Sequence, residues 1–174
     1  MMDSKKASEK SHSLLALFTI SGLIVVVDQL SKFVSNGNLT EHVPVAVIPG
    51  FDLLLAYNRG AAFSFLNDAG GWQRWLLTGI SIVVSIFLVG WLINLQKTQR
   101  LLGFSLALIL GGAVGNLIDR MLAGYVIDFI SLYFMDYRFA TFNIADAAIT
   151  IGAGLMILDI FLDYRQTNGR NSAI

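Results

Sequence analysis

Trp75 to Ile93 runs without one ionisable side chain, and a helix needs about 20 apolar residues to cross a bilayer core. Leu101 to Ile118 is also free of ionisable groups, with Asn116 near its end. An earlier apolar stretch, Leu14 to Val34, contains Asp28 and Lys32. In the last one only Ala147 to Leu158 is free of charge. That is too short for a hydrocarbon core of roughly 30 Å, so the helix must extend back through Asp146 toward Phe142. The pattern predicts one domain with four spans near residues 14–34, 73–95, 101–120 and 142–162.

Between the first two spans, in the loop 35–72, the periodicity changes. Val43, Val45 and Val47 alternate with other residues, Pro49-Gly50 marks a turn, and Phe51, Leu53, Leu55 and Tyr57 alternate again, which predicts a small hairpin or sheet. Ala61 to Leu66, with Trp72 and Trp75 beyond it, reads as a segment lying in the membrane interface. Residues 121–141 form the second long loop, and the polar tail 165–174 is expected to be disordered. The fold class is an all-α integral membrane protein of four transmembrane helices, with a small extracytoplasmic hairpin or sheet and an interfacial segment.

Composition supports this picture: 55% of residues are hydrophobic and 14% charged, a balance suited to lipid as the main solvent. Acidic and basic residues cancel, so nothing points to nucleic acid. Cysteine is absent and only His12 and His42 are present, which leaves no thiol nucleophile and no zinc-type ligand set. Lys5, Lys6 and Lys10 precede the first span, Lys97 and Arg100 join the second to the third, and Arg165 and Arg170 follow the fourth. This bias places both termini in the cytoplasm. A cleaved leader fits the N-terminal lysines, but no small-x-small cleavage site appears and removal would leave three spans.

With that orientation Asp28 and Lys32, Asn116, Asp119 and Arg120, and Asn143 and Asp146 all fall near the outer ends of their spans. Each ionisable group in hydrocarbon costs at least about 2.5–3.5 kcal/mol unless it is paired or hydrated. Ser21, Val25, Asp28 and Lys32 share one helix face, as do Gly112, Asn116 and Asp119, and again Asn143, Asp146 and Thr150. Ala107, Gly111 and Gly115 form a small-residue ridge read as packing. Asp28 and Lys32 read as an i, i+4 ion pair with the lysine snorkelling outward. Asp119 with Arg120 is either a helix-end charge pair or active-site support, and Asn116 either an interhelical hydrogen bond or the same support. Asp128, in an apolar run, and Asp146, alone in the heart of its span, are better explained by function.

Two carboxyls can hydrolyse a peptide if one, ionised, takes a proton from water while the other, protonated, polarises the carbonyl and later protonates the amine. Held close in a low-dielectric pocket, such a pair keeps one proton between them. A serine-lysine protease is a rival, given Ser31, Lys32 and Ser64, but adjacent helix positions point apart. A small ion or proton transporter could use the same carboxylates, although its sites usually lie near the midplane.

Five strings occur in order: Asp28-Gln29-Leu30-Ser31-Lys32, Asn58-Arg59-Gly60-Ala61-Ala62-Phe63, Gly112 through Arg120, Val126-Ile127-Asp128-Phe129 and Phe142-Asn143-Ile144-Ala145-Asp146. In sequence and spacing they resemble the bacterial lipoprotein signal peptidases (signal peptidase II), aspartic endopeptidases of the inner membrane. The resemblance implies a catalytic dyad of Asp128 and Asp146. It implies substrate-binding or supporting roles for Asn58, Gly60, Gly112, Asn116, Arg120 and Asn143, and structural roles for Asp28, Lys32 and Asp119. The implied substrates are prolipoproteins cut just before a diacylglyceryl-modified cysteine, with membrane phospholipids as the surroundings. The resemblance implies no metal or organic cofactor, and a monomer with its active site at the outer face is expected.

Overall fold

In the computed structural model, residues 2–60, 70–96, 98–135 and 137–171 are described. The elements in order are α1 (Met2–Asn38), β1 (Val45–Ile48), β2 (Phe51–Asn58), α2 (Trp72–Asn94), α3 (Arg100–Leu122), β3 (Val126–Phe134), β4 (Tyr137–Arg138) and α4 (Ile144–Asn171). Four of the described helices contain segments long and apolar enough to cross a membrane: Leu14–Asn38, Trp72–Asn94, Arg100–Leu122 and Ile144–Arg165. The interfacial segment expected at Ala61 to Leu66 lies outside the described residues.

α3 is the central helix, packed against α1, α2 and α4. Its small residues explain the position. A Cβ on Gly111 would stand 2.8 Å from the Ser21 carbonyl oxygen of α1, and one on Gly115 would stand 2.7 Å from Asp28 Oδ2. One on Gly112 would collide with the Ala145 carbonyl of α4. The small-residue ridge is therefore a packing surface on α1, and Gly112 extends it to α4. On the α2 side, Leu88 and Leu92 meet Leu102, Leu106 and Leu110 in the apolar core. Outward faces stay apolar: Leu30, Phe33, Ile86, Phe87 and Ile157 are all exposed, as lipid contact allows.

Replacing Gly112 with alanine is expected to lower stability by about 1–2 kcal/mol, because overpacking against a backbone carbonyl outweighs the gain in helix propensity. Thermal unfolding in detergent measures this, and an unchanged midpoint would refute the close α3–α4 approach.

The hairpin expected around Pro49-Gly50 forms, with Gly50 at φ +89 in its turn, and it belongs to a larger sheet. All neighbours in the order β1-β2-β3-β4 are antiparallel. β3 was expected as loop. Its sequence, VIDFISLYF, is rich in β-branched and aromatic residues, and β2 offers a free edge for it to pair with. Two other expectations need correction. α4 begins at Ile144 rather than at Phe142, because Asn143 caps it instead of entering it, and its helix continues to Asn171 where a disordered tail was expected. Extending a helix that already exists costs little per residue.

Candidate active site

The site forms where the sheet meets the ends of α1, α3 and α4. The α4 N-terminus fixes Asp146 first. Asn143 Oδ1 accepts the Asp146 N–H at 2.9 Å, and Asp146 Oδ2 accepts the Asn143 N–H at 3.3 Å. This reciprocal capping satisfies two N–H groups at the helix start. The Ala145 N–H donates to Asp28 Oδ1 from α1 at 2.9 Å. Asp28 thus serves as a remote cap, and the carboxylate suits the positive end of the helix dipole.

Asn143 also links the two candidate catalytic groups. Its Nδ2 donates to Asp128 Oδ1 at 2.7 Å, and the same amide approaches Asn116 Oδ1 at 3.2 Å. Asn116 Nδ2 in turn donates to Asp146 Oδ1 at 2.7 Å. Asn58, at the end of β2, donates to Asp128 Oδ2 at 3.2 Å and accepts the Gly60 N–H at 3.0 Å. Arg120 Nη2 lies 3.5 Å from the Gly60 carbonyl oxygen. Asp128, on β3, is buried. Burial, followed by the negative charge of Asp146, pushes its carboxyl up from the ordinary 3.8 to about 7, against the hydrogen bonds from Asn58 and Asn143.

Behind the aspartates lies a buried ionic layer. Lys32 Nζ stands 2.7 Å from Asp28 Oδ2, 2.9 Å from Asp119 Oδ2 and 3.1 Å from Asn116 Oδ1. The ion pair expected from the i, i+4 spacing is present. The lysine does not snorkel outward, however; it is 2% exposed and points into the bundle. The reason is the second carboxylate, since Asp119 pairs with Lys32 rather than with Arg120. Asp119 Oδ2 further accepts the Ile127 N–H at 3.1 Å, which anchors the start of β3. Gln29 was not foreseen as a member. Its Nε2 donates to Asp119 Oδ1 at 2.9 Å and to the Gly115 carbonyl at 3.1 Å, a role signalled only by a polar amide inside an apolar span. Arg74 was also missed. It caps the α3 C-terminus through the Arg120 and Met121 carbonyls at 2.9 and 2.7 Å.

Asp128, Asp146, Asn58 and Arg120 line one cavity of about 810 Å³ whose walls include Leu132 and Phe142. Asn116 and Asn143 are buried behind the aspartates, and Gly112 sits at the helix crossing, not on the cavity wall. The serine-lysine alternative loses its geometry, because Ser31 Oγ donates to the Asp28 carbonyl at 2.8 Å while Lys32 is held by carboxylates. Ser64 lies outside the described residues.

A family model described as Signal peptidase (SPase) II matches residues 20–162. The lipoprotein signal peptidase of Acinetobacter baylyi is 48% identical over 155 residues, covering 89% of this chain and 86% of the relative. That of Ectopseudomonas mendocina is 51% identical over 144 residues, covering 82% and 85% respectively. A solved structure described as a bacterial membrane enzyme superposes with a TM-score of 0.78 at 31% identity, over 86% of this chain and 89% of the other. With the family's model spanning all four apolar helices and relatives near half-identical over most of their length, this chain belongs to the signal peptidase II family.

Proposed function

We propose that the protein is an aspartic endopeptidase of the inner membrane that removes signal peptides from prolipoproteins, cutting before a diacylglyceryl-modified cysteine. The observation that carries this reading is the joint capture of Asp128 and Asp146 by Asn143 at the wall of a single cavity. In the cycle, Asp128 donates its proton to the scissile carbonyl oxygen while Asp146, fixed by N–H donors from Asn116 and Asn143, takes a proton from water. Hydroxide adds to the carbonyl carbon. The C–N bond then breaks as the proton held on Asp146 passes to the leaving amine, and the new acid's carbonyl reforms as its hydroxyl proton returns to Asp128.

The cavity suits such a substrate. Polar and charged groups gather at the dyad, while Leu132, Phe139, Phe142, Ile149 and Ile151 offer apolar walls for acyl chains. Both termini face the cytoplasm, and the sheet and dyad lie at the outer face, a placement supported by the distribution of basic residues. Anchoring the lipid in the outer leaflet would hold the scissile bond at the depth of the dyad. Every group invoked comes from one chain, which supports a monomer as the acting unit. A transporter is disfavoured because the carboxylates collect at one end of the bundle instead of the midplane.

The test is cleavage by purified protein of a diacylglyceryl-modified prolipoprotein beside the same polypeptide without lipid. The lipidated form is expected to be cut and the bare form to be cut at least about 10²-fold more slowly, since remote binding energy contributes to the rate. Equal rates would refute lipid recognition. The pH dependence follows from Asp128. Its raised pKa means that the proton is held below about 7 and lost above it, so kcat/KM is expected to fall as pH rises through that region. A rate that continues to climb with pH would contradict the need for a protonated partner.

A further inference from the structure

The sheet carries a second polar cluster that the dyad does not use. Asp52 on β2 and Ser131 on β3 stand directly opposite each other in register, and both are buried. Arg138, on the two-residue strand β4, reaches across β3 to both of them. Its Nη2 lies 2.7 Å from Asp52 Oδ2 and its Nη1 2.6 Å from Ser131 Oγ, while its guanidinium stacks 5.2 Å from the Tyr133 ring centre. One side chain therefore ties three strands together.

This cluster lies on the side of the sheet away from the cavity. Val126, Asp128 and Leu132 line the cavity, and strand alternation turns Ser131 and Tyr133 to the opposite face. What the cluster holds, however, is cavity wall. The chain leaving Arg138 runs back along β3 through three backbone bonds: Phe139 N–H to the Leu132 carbonyl at 2.9 Å, Phe142 N–H to the Ile130 carbonyl at 3.0 Å, and Ile130 N–H to the Phe142 carbonyl at 2.9 Å. Phe139, Ala140, Thr141 and Phe142 all face the cavity, and the next residue is Asn143, the α4 cap. A two-residue edge strand supplies little pairing of its own. Two charge-assisted or hydroxyl bonds from a planar fork supply the missing restraint and fix its register.

We infer that Arg138, through Asp52 and Ser131, is a positioning residue that sets the substrate-binding wall 139–142 from behind the sheet. It governs how well the cavity grips its substrate rather than the proton transfers at the dyad. The inference rests on the peptidase reading above, and lipidated prolipoprotein is the substrate it concerns.

The experiment compares wild type, Arg138→Gln, Asp52→Asn and the double variant in steady-state cleavage of lipidated prolipoprotein. Each single substitution is expected to raise KM about fivefold to tenfold while kcat changes less than about twofold, and the double variant should be no worse than the poorer single one. Hydrogen exchange at the backbone of 137–142 should quicken in all three. Unchanged KM, a loss confined to kcat, or multiplying effects in the double variant would overturn the inference. Ser131→Ala, which keeps the ion pair, is the gentler variant should the others fail to fold. It is expected to show a smaller rise in KM with faster exchange over the same residues, and wild-type values for both would equally overturn the inference. If wild type itself leaves the lipidated substrate uncut, the peptidase reading fails. If wild type cuts and the variants match it, only the positioning role fails.

Discussion

Asp128→Asn and Asp146→Asn are each expected to abolish cleavage of lipidated prolipoprotein, lowering kcat by about 10³-fold or more, while the protein still folds and inserts. An asparagine keeps nearly the same shape and can still meet Asn58, Asn143 or Asn116 with one oxygen. What it cannot do is exchange a proton at neutral pH. At Asp146 the substitution leaves the capping of α4 partly intact, since Asn143 Oδ1 still accepts the residue-146 N–H. Activity loss without a shift in thermal midpoint would therefore isolate chemistry from structure. Retained cleavage in either variant would remove that aspartate from the mechanism.

Lys32→Met is expected to be the most destabilising single change, costing about 3–5 kcal/mol. Among the described residues, Lys32 is the one cation in contact with both Asp28 and Asp119, at 2.7 and 2.9 Å, and all three side chains are buried. Without it, two buried carboxylates lose their shared counter-charge, the situation that makes breaking a buried pair so costly. The damage would spread, because Asp28 caps α4 through Ala145 and Asp119 anchors β3 through Ile127. Folded yield and thermal unfolding in detergent measure the effect. Neutralising the acids as well, in Lys32→Met/Asp28→Asn/Asp119→Asn, is expected to recover much of the loss. If Lys32→Met alone were as stable as wild type, the ionic layer would not be holding these elements together.

The second and third spans could be read from charge-free length, the first and fourth only by admitting Asp28, Lys32 and Asp146 into the membrane, and the hairpin from alternation around Pro49-Gly50. The i, i+4 relation between Asp28 and Lys32 also follows from spacing. Beyond that, local pattern could not decide between partners. Asp119 is next to Arg120 in sequence, yet its partner is Lys32, 87 positions away in a different helix, a choice made by the close α1–α3 packing that Gly111 and Gly115 permit. Asn143 shares a helical face with Asp146 on paper, but an amide satisfies more N–H groups as a cap than inside the helix, so the helix begins at the next residue, Ile144. β3 was hidden because Asp128, its third residue, breaks an apolar run that would otherwise read as a strand. Among the described residues, Asn58 from β2 and Asn143 from beyond β4 donate hydrogen bonds to the Asp128 carboxyl. The Asp52–Ser131–Arg138 cluster had no local signal at all, since its members meet only after β2, β3 and β4 pair.

The most direct test of joint action by the two aspartates is kcat for Asp128→Asn, Asp146→Asn and the double variant on one lipidated substrate. If the carboxyls work as a unit on one water and one shared proton, the double variant is predicted to be no slower than either single one. Losses that multiply would mean that each aspartate acts independently, and would contradict the dyad.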